Sequence, residues 1–141
     1  MALRILTAAA VAWLAAASVW ASPGQRSVWS GVYTEVQADQ GAVLFKTHCV
    51  SCHGESLGGG EQVPALRGVS FGATWEGVPI SDLFERMRKT MPPGKAGVVT
   101  RPEYANILAY LLKMNGMPAG STALTGDQAA LAAIMFQSNK P

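Results

Sequence analysis

Cys49-Val50-Ser51-Cys52-His53 is the cluster whose residue types and spacing point most directly to chemistry. A C-x-x-C-H run is the attachment signature of c-type haem. Each thiol can add across one vinyl group of the porphyrin, giving two thioethers. The histidine that follows then lies under the ring, with its imidazole available to iron. Three other chemistries use similar residues. A structural zinc ion takes four Cys or His ligands, and the chain offers only Cys49, Cys52, His53 and His48, crowded within six residues. A thioredoxin-type redox pair belongs in a βαβ setting, and no strand pattern accompanies this one. A plain disulfide suits an oxidising compartment but gives His53 no task.

A haem iron held by His53 needs a second axial ligand to be closed to small molecules. The chain has two histidines. His48 directly precedes Cys49 and cannot easily reach the other face of the ring. Methionine is the usual alternative, and it raises the reduction potential. The candidates are Met87, Met91, Met114, Met117 and Met135. Met87 and Met114 fall inside expected helices, where methionine serves as core filler. Met117 and Met135 come late, in or after the closing turn. Met91 stands where a helix breaks into Pro92-Pro93, and the prolines stiffen the loop presenting it. The residues favour Met91.

The surrounding pattern is helical. A helix is expected from about Glu35 to His48, with Thr34 and Gln37 at capping-box spacing and Val36, Val43 and Leu44 on one face. Residues 54–79 hold Gly58-Gly59-Gly60, Pro64, Gly68, Gly72, Gly77 and Pro79 and read as a long ordered loop, uncommon unless it has a task such as wrapping a haem. Ser81 is placed to cap a short helix over 82–90. Thr100 and Glu103 repeat the capping-box spacing, with Pro102 in the first turn. That helix runs to about Asn115 and stops at Gly116. A last helix is expected over about 126–137, starting at Thr125. The fold class is all-α, with about four to five helices around one covalently bound haem.

The first 21 residues read as a signal peptide: Arg4 at the positive start, an uncharged Ala-rich run from Ile5 to Val19, and cleavage after Ala21. The run is short for a spanning helix, so no membrane span is expected after cleavage. An uncleaved anchor is the alternative. An arm over 22–33, a haem domain over 34–117 and an extension over 118–141 follow. The formal charge of +2 gives no basic excess that would suit nucleic acid. Trp29 to Glu85 holds seven acidic and two basic residues, whereas Arg86 to Lys113 holds six basic and one acidic. If the fold keeps these halves apart, the resulting field can steer a charged partner, with Arg86, Arg88, Lys89 and Lys95 forming a basic rim near Met91.

On these pieces the chain resembles a small class I cytochrome c of the bacterial type. It is similar to the haem domains and subunits associated with quinoprotein alcohol dehydrogenases. The resemblance is carried by Gly41 to Phe45, the haem motif, Pro64-Ala65-Leu66, Trp75, Thr90-Met91-Pro92, and Tyr104 to Leu112 with Asn115-Gly116. It implies the cytochrome c fold and one haem c attached through Cys49 and Cys52. It implies iron ligands His53 and Met91, a Pro64 carbonyl that orients the histidine, and Leu66 against the haem. Trp75 would lie near the haem edge, and Gly41, Phe45 and Tyr110 at the crossing of first and last helices. It further implies a periplasmic one-electron carrier rather than an enzyme. Its redox partners would be a quinoprotein dehydrogenase and a terminal oxidase or other cytochrome of the respiratory chain. An open iron site that binds small ligands, or a haem subunit fixed in a dehydrogenase complex, are the rival functions.

Overall fold

The computed structural model describes residues 24–95 and 97–141; the expected leader lies outside them. Six α-helices, α1 (Glu35–His48), α2 (Val50–His53), α3 (Gly68–Trp75), α4 (Ile80–Thr90), α5 (Arg101–Met114) and α6 (Gln128–Ala132), account for most of the regular structure. Two of them, α2 and α6, are short. The architecture is mainly helical, as expected.

The frame is the crossing of α1 with α5. A side-chain methyl at Gly41 would stand 1.9 Å from the Asn106 carbonyl oxygen and 2.9 Å from Tyr110 Cβ. Only glycine lets the two backbones come that close. One turn further along α1, Phe45 packs on Tyr110 with ring centroids 5.4 Å apart and planes tilted by 50°. The inward face of α1 is therefore Gln37, Ala38, Gly41 and Phe45. This corrects the expected face: Val36 and Val43 are each 68% exposed. Small residues mark a close crossing, and a search for large apolar side chains passes over them. Helix α5 meets this face with Asn106 and Tyr110 and buries Tyr104, Ile107, Leu108, Leu111 and Leu112, with Ala105 and Ala109. Its start is fixed as expected, with the Thr100 backbone N–H donating to the Glu103 carboxylate at 2.7 Å.

Four other expectations are corrected. Thr34 does cap α1, accepting from the Gln37 N–H at 3.2 Å. The Gln37 side chain, however, does not reach back. It donates to the Leu124 carbonyl at 2.6 Å and accepts from the Leu124 N–H at 2.8 Å, holding the extension to the domain. The presumed loop contains α3, whose Phe71 meets Phe136 edge-on at 5.7 Å. Its Gly72 makes room for Ser138. Glycine content argued against this helix; contact with the distant extension outweighs it. Helix α4 starts at Ile80 with Pro79 before it, and Ser81 is buried inside, donating to Asp82 at 3.1 Å. Finally, α6 is only five residues long and is capped by Asp127, which accepts from the Ala130 N–H at 2.8 Å.

After α6 the chain forms a two-residue strand, β2 (Ile134–Met135), parallel to β1 (Arg26–Ser27) of the arm, with Arg26 opposite Ile134. Strands this short leave no alternation in the sequence, so their pairing was not legible there. Around them the arm and extension interlock. Tyr33 donates its hydroxyl to the Met117 carbonyl at 2.6 Å, Gly120 donates its N–H to the Tyr33 carbonyl at 2.7 Å, and Trp29 Nε1 donates to the Gln137 carbonyl at 2.9 Å. Val28, Tyr33, Leu131, Ile134 and Phe136 are buried in one hydrophobic cluster with the helices.

The charged halves of the sequence do not separate. Glu85 on α4 gathers Arg88 at 2.8 Å, Arg101 of α5 at 3.0 Å and Lys89 at 3.7 Å. Lys113 pairs with Glu35 and, at 2.9 Å, with Asp39. The Arg101 guanidinium also lies over the Phe84 ring, 5.1 Å from its centroid. Glu85 thus ties α4 to the first turn of α5.

Two outcomes follow. Gly41→Ala forces the Asn106 carbonyl away and should cost about 3 kcal/mol or more of unfolding free energy, at the upper end of overpacking effects. Urea unfolding of the haem-loaded protein measures it. The hydrogen bonds from Arg88, followed by those from Arg101, hold the Glu85 carboxyl down at about 2. A depressed carboxylate contributes stability that is fully present above its unfolded value, near 4.5, and is lost as pH falls through about 2. Glu85→Gln should therefore melt below wild type at neutral pH, and the gap should narrow between pH 4.5 and 2 in a thermal-melt series.

Candidate functional site

The haem motif sits where α1 ends and turns. The Cys49 N–H closes the last turn of α1 on the Phe45 carbonyl at 2.8 Å, and the Cys52 and His53 N–H groups return to the Cys49 carbonyl at 3.2 and 3.0 Å. This single turn, α2, places residues three apart on the same side, which is what a pair of thiols reaching one planar ring requires. The two thiols are not joined. Cys49 is half-buried, and burial followed by the neighbouring Cys52 pushes its thiol up to about 11, so it stays protonated. Cys52 is exposed.

His53 is 6% exposed. Its Nδ1 lies 3.1 Å from the Pro64 carbonyl oxygen. A carbonyl can only accept, so Nδ1 carries the proton and Nε2 keeps the lone pair that a metal needs. The loop that brings Pro64 round is stapled from inside. Leu57 is fully buried in a left-handed conformation (φ 59°), and its carbonyl accepts from the Leu66 N–H at 2.8 Å. Burial of this side chain holds a backbone conformation that leucine otherwise avoids. From the far end of α5, Asn115 Nδ2 donates to the Leu66 carbonyl at 3.0 Å and Asn115 Oδ1 accepts from the Gly68 N–H at 3.1 Å.

Met91 follows the last residue of α4. Its N–H bonds back to the Met87 carbonyl at 2.9 Å, and the chain leaves the helix extended (φ −125°, ψ 144°). The Tyr104 hydroxyl donates to the Met91 carbonyl. Burial is the largest influence on the Tyr104 phenol and raises it, so it keeps its proton.

These pieces meet at one cavity of about 310 Å³, lined by Cys49, Cys52, His53 and Met91, with apolar walls from residues such as Leu66 and Ile107. The donor set fits haem c: two free thiols, an imidazole nitrogen and a thioether around an apolar chamber. It does not fit the rival chemistries. Among the described residues no group of three or more His, Cys, Asp and Glu could hold a metal ion, and the only paired strands are two residues long, so no βαβ unit surrounds the cysteines. Pro64 contributes its carbonyl.

Trp75 is not brought to this cavity. It ends α3 and lies half-buried against the hydrophobic core, because the helix that formed within the presumed loop turns it that way. Sequence reasoning also missed contributors. Met87, expected as core filler, lines the cavity beside Met91, as do Tyr104 and Lys95. The spacing of Met87 and Met91, one helical turn, was the available signal. A larger cavity of about 630 Å³ lies between α3 and the extension, lined by Arg67, Val69 and Glu76 among others, and includes none of the expected site residues.

Residues 36–111 match the family described as cytochrome c oxidase, cbb3-type, subunit III. The matched stretch spans more than half of the chain, from the first turn of α1 to Leu111 in α5, and contains every residue that lines the cavity. No solved structure matches the chain.

Proposed function

Because the chain belongs to this family of haem c domains, and is thus a monohaem class I cytochrome c that transfers electrons, we propose that it works in the periplasm with His53 and Met91 as its two iron ligands. The observation that carries the ligand pair is their presence in one cavity with both thiols, with the other nitrogen of His53 committed to Pro64. When bound, haem c supplies an iron that alternates between Fe(III) and Fe(II), moving one electron at a time.

The residues divide the remaining tasks. Cys49 and Cys52 fasten the group covalently. The Pro64 carbonyl fixes the ring orientation and basicity of His53. Met91 would be the second ligand, which would keep small molecules off the metal and favour the reduced form. Leu66 and Ile107 exclude water. Exposed Ser51, Cys52, Pro93 and Lys95 frame the side from which electrons can enter and leave.

We place the protein outside the cytoplasm on the character of residues 1–21, with cleavage after Ala21 and an uncleaved anchor as the alternative. Among the described residues no helix is long and apolar enough to cross a membrane. Its electron donor is proposed to be a periplasmic dehydrogenase of the quinoprotein class, on the resemblance above, and its acceptor a terminal oxidase or another cytochrome. A free carrier is favoured over a fixed subunit, because the arm and extension bury their large apolar residues against the chain's own core. The basic rim is smaller than the sequence suggested: Arg88 and Lys89 are drawn to Glu85, leaving Arg86 and Lys95 outside the ion pairs found among the described residues.

The ligand assignment has a spectroscopic test. The ferric protein should show the weak far-red band that methionine sulfur gives, and the ferrous protein should not take up carbon monoxide at neutral pH. Met91→Ala should lose the band, bind carbon monoxide stoichiometrically and fall in reduction potential. A wild type without the band that binds carbon monoxide would replace the carrier reading with an open-iron sensor or enzyme.

A further inference from the structure

The segment that presents Met91 has few ways of being held. Pro92 and Pro93 have no N–H, so residues 91–93 offer one backbone donor among them. That donor, the Met91 N–H, is already used within α4, on Met87. The Pro92 carbonyl is used locally, accepting from the Lys95 N–H at 3.1 Å. Among the described residues, the Tyr104 hydroxyl is the one group from another element that bonds the backbone of this segment. Tyr104 itself is 3% exposed. Its ring is set edge-on to Phe84 of α4, with centroids 6.3 Å apart. It stands on α5, the helix locked to α1 at Gly41, and α1 leads directly into Cys49.

We propose that Tyr104 is a positioning residue for the sixth ligand: its hydroxyl, by holding the Met91 carbonyl, fixes where the Met91 thioether stands relative to the attachment motif. The inference rests on the reading of Met91 as that ligand. It separates two roles on the same helix pair. Glu85 and Arg101 join α4 to α5 as bodies, whereas Tyr104 grips the residue whose side chain is to meet iron.

The experiment compares haem-loaded wild type, Tyr104→Phe and Glu85→Gln by the ferric far-red band and by the rate at which imidazole displaces the native ligand. Tyr104→Phe removes one oxygen and keeps the ring contact with Phe84, so helix content and the main haem absorption should match wild type. The band should weaken and imidazole should enter about three- to tenfold faster, the factor that one net hydrogen bond represents. Glu85→Gln should lower the melting temperature yet leave band and rate at wild-type values. Identical band and rate in Tyr104→Phe would overturn the proposal. So would an equal acceleration in Glu85→Gln, since any loosening of α4 would then suffice. A wild type lacking the band would refute the Met91 assignment itself, before the variants are compared.

Discussion

A hydrogen atom in place of a side chain at position 41 allows α1 and α5 to cross in backbone contact, and the rest of the molecule is arranged from that crossing. The Asn106 carbonyl occupies the space that a methyl group would need. With the axes fixed there, Phe45 meets Tyr110 one turn along, a pairing worth about 1 kcal/mol beyond the area it buries. The same crossing decides where α1 ends, and therefore where Cys49, Cys52 and His53 are delivered. It also sets where the two ends of α5 fall. One carries Tyr104, against the methionine segment, and the other carries Asn115, against the loop that follows Pro64.

The site is therefore suspended between the two ends of a single rigid helix. The His53 side depends on loop geometry, with a buried Leu57, a carbonyl at Pro64 and Asn115 as the outer clamp. The Met91 side depends on the end of α4 and on the Tyr104 hydroxyl that holds the Met91 carbonyl. This division suits electron transfer. In the proposed ligation, an iron held by His53 and Met91 in an apolar chamber would change charge with little movement of its surroundings, its potential set by ligand type, hydrogen bonding and burial.

Much of this was legible in the sequence, for identifiable reasons. The haem motif is local, so five consecutive residues specify the attachment. The helix at Glu35–His48 and the capping box at Thr100 and Glu103 were readable because capping chemistry acts over three residues. Met91 stood out as a candidate because two prolines follow it, and it does line the cavity. What was not legible depends on distant partners. Helix α3 forms against Phe136, some sixty residues away along the chain. Gln37, read as half of a capping box, holds Leu124 instead. The two short strands exist only as a pair, and Trp75 left the expected site because α3 replaced the loop. The inward face of α1 was misread because glycine and alanine do not register as a hydrophobic stripe, although they are what a close helix crossing requires.

The central claim is that Cys49 and Cys52 hold one haem covalently. It is tested most directly by purifying the protein from a host with c-type maturation, treating it with acidified acetone and following the haem. The account predicts that haem remains with the polypeptide at one per chain, and that a variant carrying both Cys49→Ser and Cys52→Ser retains none. Haem released into the solvent, or a haem-free chain with Cys49 and Cys52 joined in a disulfide, would contradict it.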